Sequence, residues 1–197
     1  PWAYRNAVQI GTPALVATNG GPNLWMGNNP STDGFYQALP PQPVGMSEAQ
    51  FHNWLGDKAV GYIREKPVAF IGRSAIKAVR LYERETIGVV WNEPGIRAAL
   101  PVVAVAGLKI ESQGYWVLTL AASVAGFVIL IRTQGWWKVA SHPVLIIPAY
   151  FTAVHAVIVV QDRYHFPMTP MIAMFAAIAV VRLYRWNLDG RRPPEAA

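Results

Sequence analysis

Tyr115 to Ile131 reads YWVLTLAASVAGFVILI, seventeen residues without a charge. Two further runs follow at short intervals: Pro143 to Val160 (PVLIIPAYFTAVHAVIVV) and Phe166 to Val181 (FPMTPMIAMFAAIAVV). A helix rises about 1.5 Å per residue and a bilayer core is about 30 Å thick, so ~17 to 25 apolar residues span it. A soluble helical core also makes short apolar helices, but three such runs in quick succession leave almost no polar face for water. Aromatic residues stand at the run ends, with Tyr115, Trp116, Trp136, Trp137, Tyr164, Tyr184 and Trp186 at the depth where amphipathic rings favour headgroups. The reading is mainly α: a polytopic membrane protein with about three carboxy-terminal transmembrane helices, preceded by an external loop-plus-amphipathic-helix region. Its divisions are 1–110 outside the cytoplasm, 111–186 in the membrane and 187–197 as a cytoplasmic tail.

Charge agrees with that division. Of the 197 residues 53 % are apolar and 14 % charged, where a soluble domain carries about 25 % charge. Seventeen Lys and Arg against eleven Asp and Glu give a net charge of +6. Arg132 and Lys138 follow the first run and Arg182, Arg185, Arg191 and Arg192 follow the third, whereas Arg163 in the middle connection is offset by Asp162. Cationic short loops stay in the cytoplasm, which puts the Gln161 loop and the amino-terminal half outside, in an inner-membrane, multi-pass protein. Ile96 to Leu108 is apolar but too short to span alone. The absence of Cys excludes disulfide scaffolds, thiolate zinc sites and cysteine nucleophiles. No charged region with an apolar core follows Pro1, and the direct run into Trp2-Ala3-Tyr4-Arg5-Asn6 suggests the interior of a longer protein.

Gly11 to Pro43 is dense in Gly, Pro and Asn, and its centre, Thr18 to Pro30, holds the turn-forming pairs Asn-Gly, Gly-Pro and Asn-Pro. The expectation is a loop. Trp25 and the carboxamides of Asn19, Asn23, Asn28 and Asn29 suit a sugar ring, which offers C–H bonds to a π-face and hydroxyls to paired donors and acceptors. A packed surface loop would use the same composition. Ser47 with Gln50 predicts a capping box, and Pro67 predicts a helix start. Beyond it Arg73, Lys77, Arg80 and Arg84 fall on one stripe, with Ile71, Ala75, Ala78, Val79 and Tyr82 opposite. Such a basic amphipathic helix beside a bilayer lies at the headgroups and attracts phosphate; nucleic acid is not a fitting partner for an external segment.

Gln161-Asp162-Arg163-Tyr164-His165 sits between two apolar runs. Arg163 can grip a phosphate bidentately and Tyr164 can add a hydroxyl donor; equally, both can anchor the chain by snorkelling. His155, inside an apolar run, is an intramembrane ionisable group and so a functional candidate. The four His residues show no metal-ligand spacing, and neither a nucleophile elbow, a P-loop nor a dinucleotide fingerprint is present. Asp33 is the one acid in the Gly/Asn-rich stretch. No cofactor is evident; a divalent metal is compatible with the sequence, but no ligand spacing supports one.

Four pieces carry a family resemblance: Pro-Trp-x-x-Arg-Asn at residues 1–6, Asn-Gly-Gly-x-Asn-Leu-Trp-x-Gly-Asn-Asn-Pro at 19–30, Tyr-Ile-Arg-Glu-Lys-Pro at 62–67 and Arg-Tyr-x-x-Pro at 163–167. In this order the chain resembles the carboxy-terminal half of bacterial family-39-like membrane glycosyltransferases, relatives of protein mannosyltransferases and lipid A aminoarabinose transferases in the GT-C superfamily. The resemblance implies transfer of a sugar from a polyprenyl-phosphate-linked lipid donor to an acceptor outside the cytoplasm. It also implies a catalytic acid upstream of this chain, leaving the fragment inactive alone. Arg163 and Tyr164, then Lys77 and Arg80, are the candidates for the donor phosphate, because a departing lipid phosphate needs cations or donors. Asn19, Asn23, Trp25, Asn28 and Asn29 would shape the sugar or acceptor cleft. The competing class is a non-catalytic part of a transporter or an assembly scaffold. A transporter would show inverted repeats or broken helices about a midplane site, and three spans give no such symmetry.

Overall fold

The computed structural model describes residues 1–11 and 17–189; the expected cytoplasmic tail, with Arg191 and Arg192, lies mostly outside them. The described chain is mainly helical, in the order α1 (Trp2–Ile10), α2 (Gly20–Gly27), α3 (Glu48–Glu65), α4 (Pro67–Arg80), α5 (Ile87–Ala99), α6 (Val102–Gln134), α7 (Trp136–Ala140), α8 (Pro143–Val157), a 3₁₀ turn (Asp162–Met168) and α9 (Thr169–Asp189). It forms two compact units, one of residues 1–83 with 152–164, the other of 84–151 with 165–197.

In the first unit, α3 opens on the expected capping box: Ser47 Oγ accepts from Gln50 N, and Gln50 Oε1 accepts from Ser47 N at 2.8 Å. Pro67 starts α4 at its first position, where its missing N–H costs nothing. The expected Gly/Asn-rich loop is in part a helix, which corrects the reading of Thr18 to Pro30. Pro22 sits in the first turn of α2, a position that tolerates it. Packing against α3 outweighs the poor helix propensity of two glycines: a Cβ on Gly21 would stand 2.0 Å from the His52 carbonyl oxygen.

In the second unit, α5 ends at Ala99 and α6 starts after Pro101, so Ile96 to Leu108 is shared between two helices. Glu93 of α5 accepts from Arg97 at 2.6 Å and from Lys109 of α6 at 2.9 Å. These bonds hold the Glu93 carboxyl below its usual range. Helix α6 is 33 residues, about 50 Å long, and the uncharged Tyr115–Ile131 run is its carboxy-terminal part. Two segments are long and apolar enough to cross a bilayer, Val102–Gln134 and Asp162–Leu188; α8, at 15 residues, is shorter. Only 11 % and 22 % of the apolar stretches of the two long segments are buried. A soluble core helix would be mostly enclosed, so their apolar surface faces outward and suggests membrane association.

Helices α6 and α9 run side by side in the same direction. Trp116 stacks on His165 with ring centroids 4.3 Å apart, and about three turns later Phe127 meets Phe175 edge-on at 5.8 Å. Between these contacts the backbones come so close that a Cβ on Gly126 would lie 1.8 Å from the Phe175 carbonyl oxygen. Gly114, on the same helix, has nothing within 4 Å of a built Cβ. The two glycines therefore respond oppositely to alanine. Gly126→Ala is expected to cost about 1–3 kcal/mol by overpacking, while Gly114→Ala is neutral or gains up to about 1 kcal/mol from helix propensity. Thermal unfolding of both variants in detergent, against the unsubstituted protein, checks the contrast.

Candidate functional site

Helix α4 is amphipathic as its spacing predicts, but its faces are inverted. The cations turn into the first unit, and Val68, Ile71, Ile76 and Val79 face outward, each more than half exposed. Arg84 lies beyond the end of the helix at Arg80 and does not belong to the stripe. Arg73 donates to the Asn29 carbonyl at 3.2 Å and the Tyr62 hydroxyl at 3.1 Å, with its guanidinium 5.3 Å from the Tyr62 ring centroid. Arg80 donates to the Asp33 carbonyl at 3.0 Å and lies over Phe35.

Lys77 departs furthest from expectation. It is fully buried, so it cannot offer its ammonium to a lipid phosphate at the surface. Its Nζ donates to the carbonyls of Gly27 at 3.3 Å, Val157 at 3.0 Å and Ile158 at 2.8 Å. Those carbonyls stand at the carboxy-terminal ends of α2 and α8, where helices leave acceptors unpaired and carry partial negative charge. One ammonium thus closes two helices. Gly27 lets the two ends meet, since a Cβ there would lie 2.5 Å from the Ile158 carbonyl oxygen.

Asn28 and Asn29, which the sequence suggests for a sugar or acceptor cleft, are likewise buried, and their carboxamides bond to backbone groups. Asn28 Nδ2 donates to the Leu24 carbonyl at 3.0 Å and the Val157 carbonyl at 2.7 Å. Asn29 Nδ2 donates to the Trp25 carbonyl, and its Oδ1 accepts from the amide and hydroxyl of Ser31. Asn19 is exposed, while Asn23 and Trp25 are half-buried. Lys58 of α3 has its Nζ 3.8 Å from the Trp54 ring centroid and 5.9 Å from that of Trp25, adding a cation to the aromatic surface. Trp54 and Lys58 are four residues apart on one helix face, a spacing visible in the sequence but not singled out there.

The same cluster fixes the residues before Arg163. Val159 N donates to the Asn23 carbonyl and Val160 N to the Gly34 carbonyl, at 3.1 and 3.0 Å. Arg163, half-buried, places its guanidinium carbon 5.5 Å from the Tyr164 ring, which in turn lies 4.7 Å from the ring of His155. Among the candidates, the structure therefore gathers Asn23, Asn28, Lys77 and the chain leading into Arg163 around one set of backbone bonds. Within the second unit, fully buried His165 bonds to the Glu85 carboxylate through Nε2. Eighty positions separate the two, and no sequence pattern joins them. Compared with known proteins, the chain matches no family model, no curated protein and no solved structure.

Burial, and after it the neighbouring Arg73 cation, lower the Lys77 pKa from the usual 10.5 to about 8. Below pH 8 both the folded and unfolded chains hold the proton, and the folded state bears the cost. Between about pH 8 and 10.5 the unfolded chain binds more protons, so this group's contribution to stability rises with pH, by about 3 kcal/mol in total. Lys77→Met removes that slope and leaves buried carbonyls unpaired, a loss of about 1–3 kcal/mol. Unfolding of both proteins from pH 7 to 10.5 is expected to show a gap that widens as pH rises.

Proposed function

We propose that the chain is the membrane-embedded, carboxy-terminal part of a glycosyltransferase that moves a sugar from a polyprenyl-phosphate donor to an extracytoplasmic acceptor. One observation carries this reading: Lys77, Asn28 and the Val159 and Val160 amides tie the Asn19–Pro30 stretch to the segment leading into Arg163. Two of the sequence pieces that resemble the transferase family are thereby joined in one unit. In this reading Arg163 holds the carrier phosphate with Tyr164 beside it, since a guanidinium can pair bidentately with phosphate oxygens. Arg80 adds positive potential. Asn19, Asn23 and Trp25, with Lys58, face the sugar or acceptor, whereas Lys77, Asn28 and Asn29 hold the frame on which those groups stand. The catalytic acid is supplied by sequence upstream, as the resemblance implies.

The same proposal includes three crossings of the inner membrane. Because α6 and α9 run parallel, the chain between Gln134 and His165 has to get from one end of the pair back to the other. Helix α8 contributes about 22 Å, and Ile158 to Gln161, at up to ~3.3 Å per residue, about 13 Å more, enough for a core of about 30 Å. Non-helical backbone is tolerated at that depth only when enclosed by protein, and Val159 and Val160 are 1 % and 0 % exposed with both amides bonded. Arg132, Lys138, Arg182 and Arg185 then share the cytoplasmic side. The uncharged outer face of α4 suits the boundary between headgroups and acyl chains.

Transfer by the whole protein carrying Arg163→Ala tests the assignment. A charge-assisted hydrogen bond contributes about 1.5–3 kcal/mol, so the rate or donor affinity should fall about ten- to a hundredfold, with helix content unchanged. An unchanged rate together with unchanged donor affinity would sink the role given to Arg163.

A further inference from the structure

We propose that the cleft between the carboxy-terminal parts of α6 and α9 binds an anionic phospholipid, with acyl chain between the helices and phosphate on Arg182 and Arg185. This inference rests on α6 and α9 lying in a bilayer and is independent of the transferase reading. The cleft has a volume of about 720 Å³. Its room comes from small side chains: Ala125 of α6 and Ala179 of α9 stand beside the Gly126 contact that draws the backbones together, and Ile129 and Leu183 make the remaining wall apolar. Arg182 and Arg185, one helical turn apart, line the same cleft. They also line the adjoining apolar surface of Ala177, Ile178 and Val181, so the pair borders hydrocarbon on both sides.

A site with an apolar floor and two neighbouring guanidinium groups fits one ligand chemistry, an acyl chain ending in a phosphodiester. Among the described residues, no ion pair occupies either guanidinium. Each guanidinium can offer two parallel N–H donors to phosphate oxygens, and a basic pocket between membrane helices is suited to an anionic headgroup. Trp186, also lining the cleft and 74 % exposed, belongs at headgroup depth. A zwitterionic lipid presents the same phosphate with a cation attached, which would face the two arginines unfavourably.

The test uses the full chain in nanodiscs made of equal parts phosphatidylcholine and phosphatidylglycerol, followed by native mass spectrometry of the released protein. Phosphatidylglycerol should be retained in preference to phosphatidylcholine. At about 1 kcal/mol per basic residue near the surface, the double variant Arg182→Gln/Arg185→Gln should lower that retention about thirtyfold. Ala125→Phe, on an exposed position, keeps both cations while narrowing the apolar cleft; it should also reduce retention, and it decides the matter if the double variant loses helix content. Arg97→Gln, on α5, should change nothing. Equal retention of the two lipids overturns the proposal, as does retention that survives Ala125→Phe. Displacement of phosphatidylglycerol by glycerol 3-phosphate at equal concentration would overturn the lipid as the source of the phosphate.

Discussion

The first unit depends on the Lys77 ammonium. Removing a cation from water costs several kcal/mol, and only good geometry offsets that cost. Here the compensation comes from three carbonyl oxygens instead of a carboxylate. Those oxygens are themselves a liability, because helices α2 and α8 end inside protein and their last carbonyls would otherwise lack donors. Each side of the interaction removes the other's penalty, and the lowered pKa of Lys77 is the residual cost of burial. The consequence reaches beyond stability. Residues 27 to 34 and 157 to 160 are far apart in sequence, and their mutual position sets where Arg163 and Tyr164 begin.

Helical period was legible in α4, but the direction of its faces was not. A spacing of four, three and four says that cations share a side and cannot say which side is enclosed. For a helix on water, the cations belong outside. Here the neighbouring backbone supplies acceptors at Gly27, Asn29 and Asp33, and these reverse the choice. The carboxamides divided in the same way: Asn28 and Asn29 satisfy buried backbone groups, while Asn19 keeps its exposure. Composition announced amide chemistry without assigning its partners. The capping box at Ser47 and the proline start at Pro67 were readable because their determinants are local. Helix α2 was not, because its cause is the closeness of α3 at Gly21, a tertiary effect.

The three apolar runs were also legible, as two long helices and one short. Run length alone made them look equivalent. What distinguishes them is the chain direction, which only the paired contacts Trp116 with His165 and Phe127 with Phe175 reveal. Two parallel helices cannot be joined by a tight turn, so a long connection, of which α8 is the main helical part, is a geometric requirement of the arrangement. The shortness of α8 is then explained by the Lys77 contact: the helix stops where its carbonyls meet a donor, and extended chain continues from there.

Parallel packing also sorts the second unit by chemistry along its axis. At the level of Trp116 lies a closed polar contact, in which buried His165 is stacked on an indole and bonded to Glu85. That arrangement satisfies an imidazole that could not otherwise be enclosed cheaply. From Trp116 to Arg132 is about 24 Å of helix, and at that far end Arg132, Arg182 and Arg185 gather without described carboxylate partners. One end is thus self-satisfied within the protein, and at the other, among the described residues, no ion pair is made by the guanidinium groups. In the proposed membrane placement such an asymmetry would favour one orientation, because the paired end needs nothing from its surroundings and the cationic end gains from an anionic leaflet.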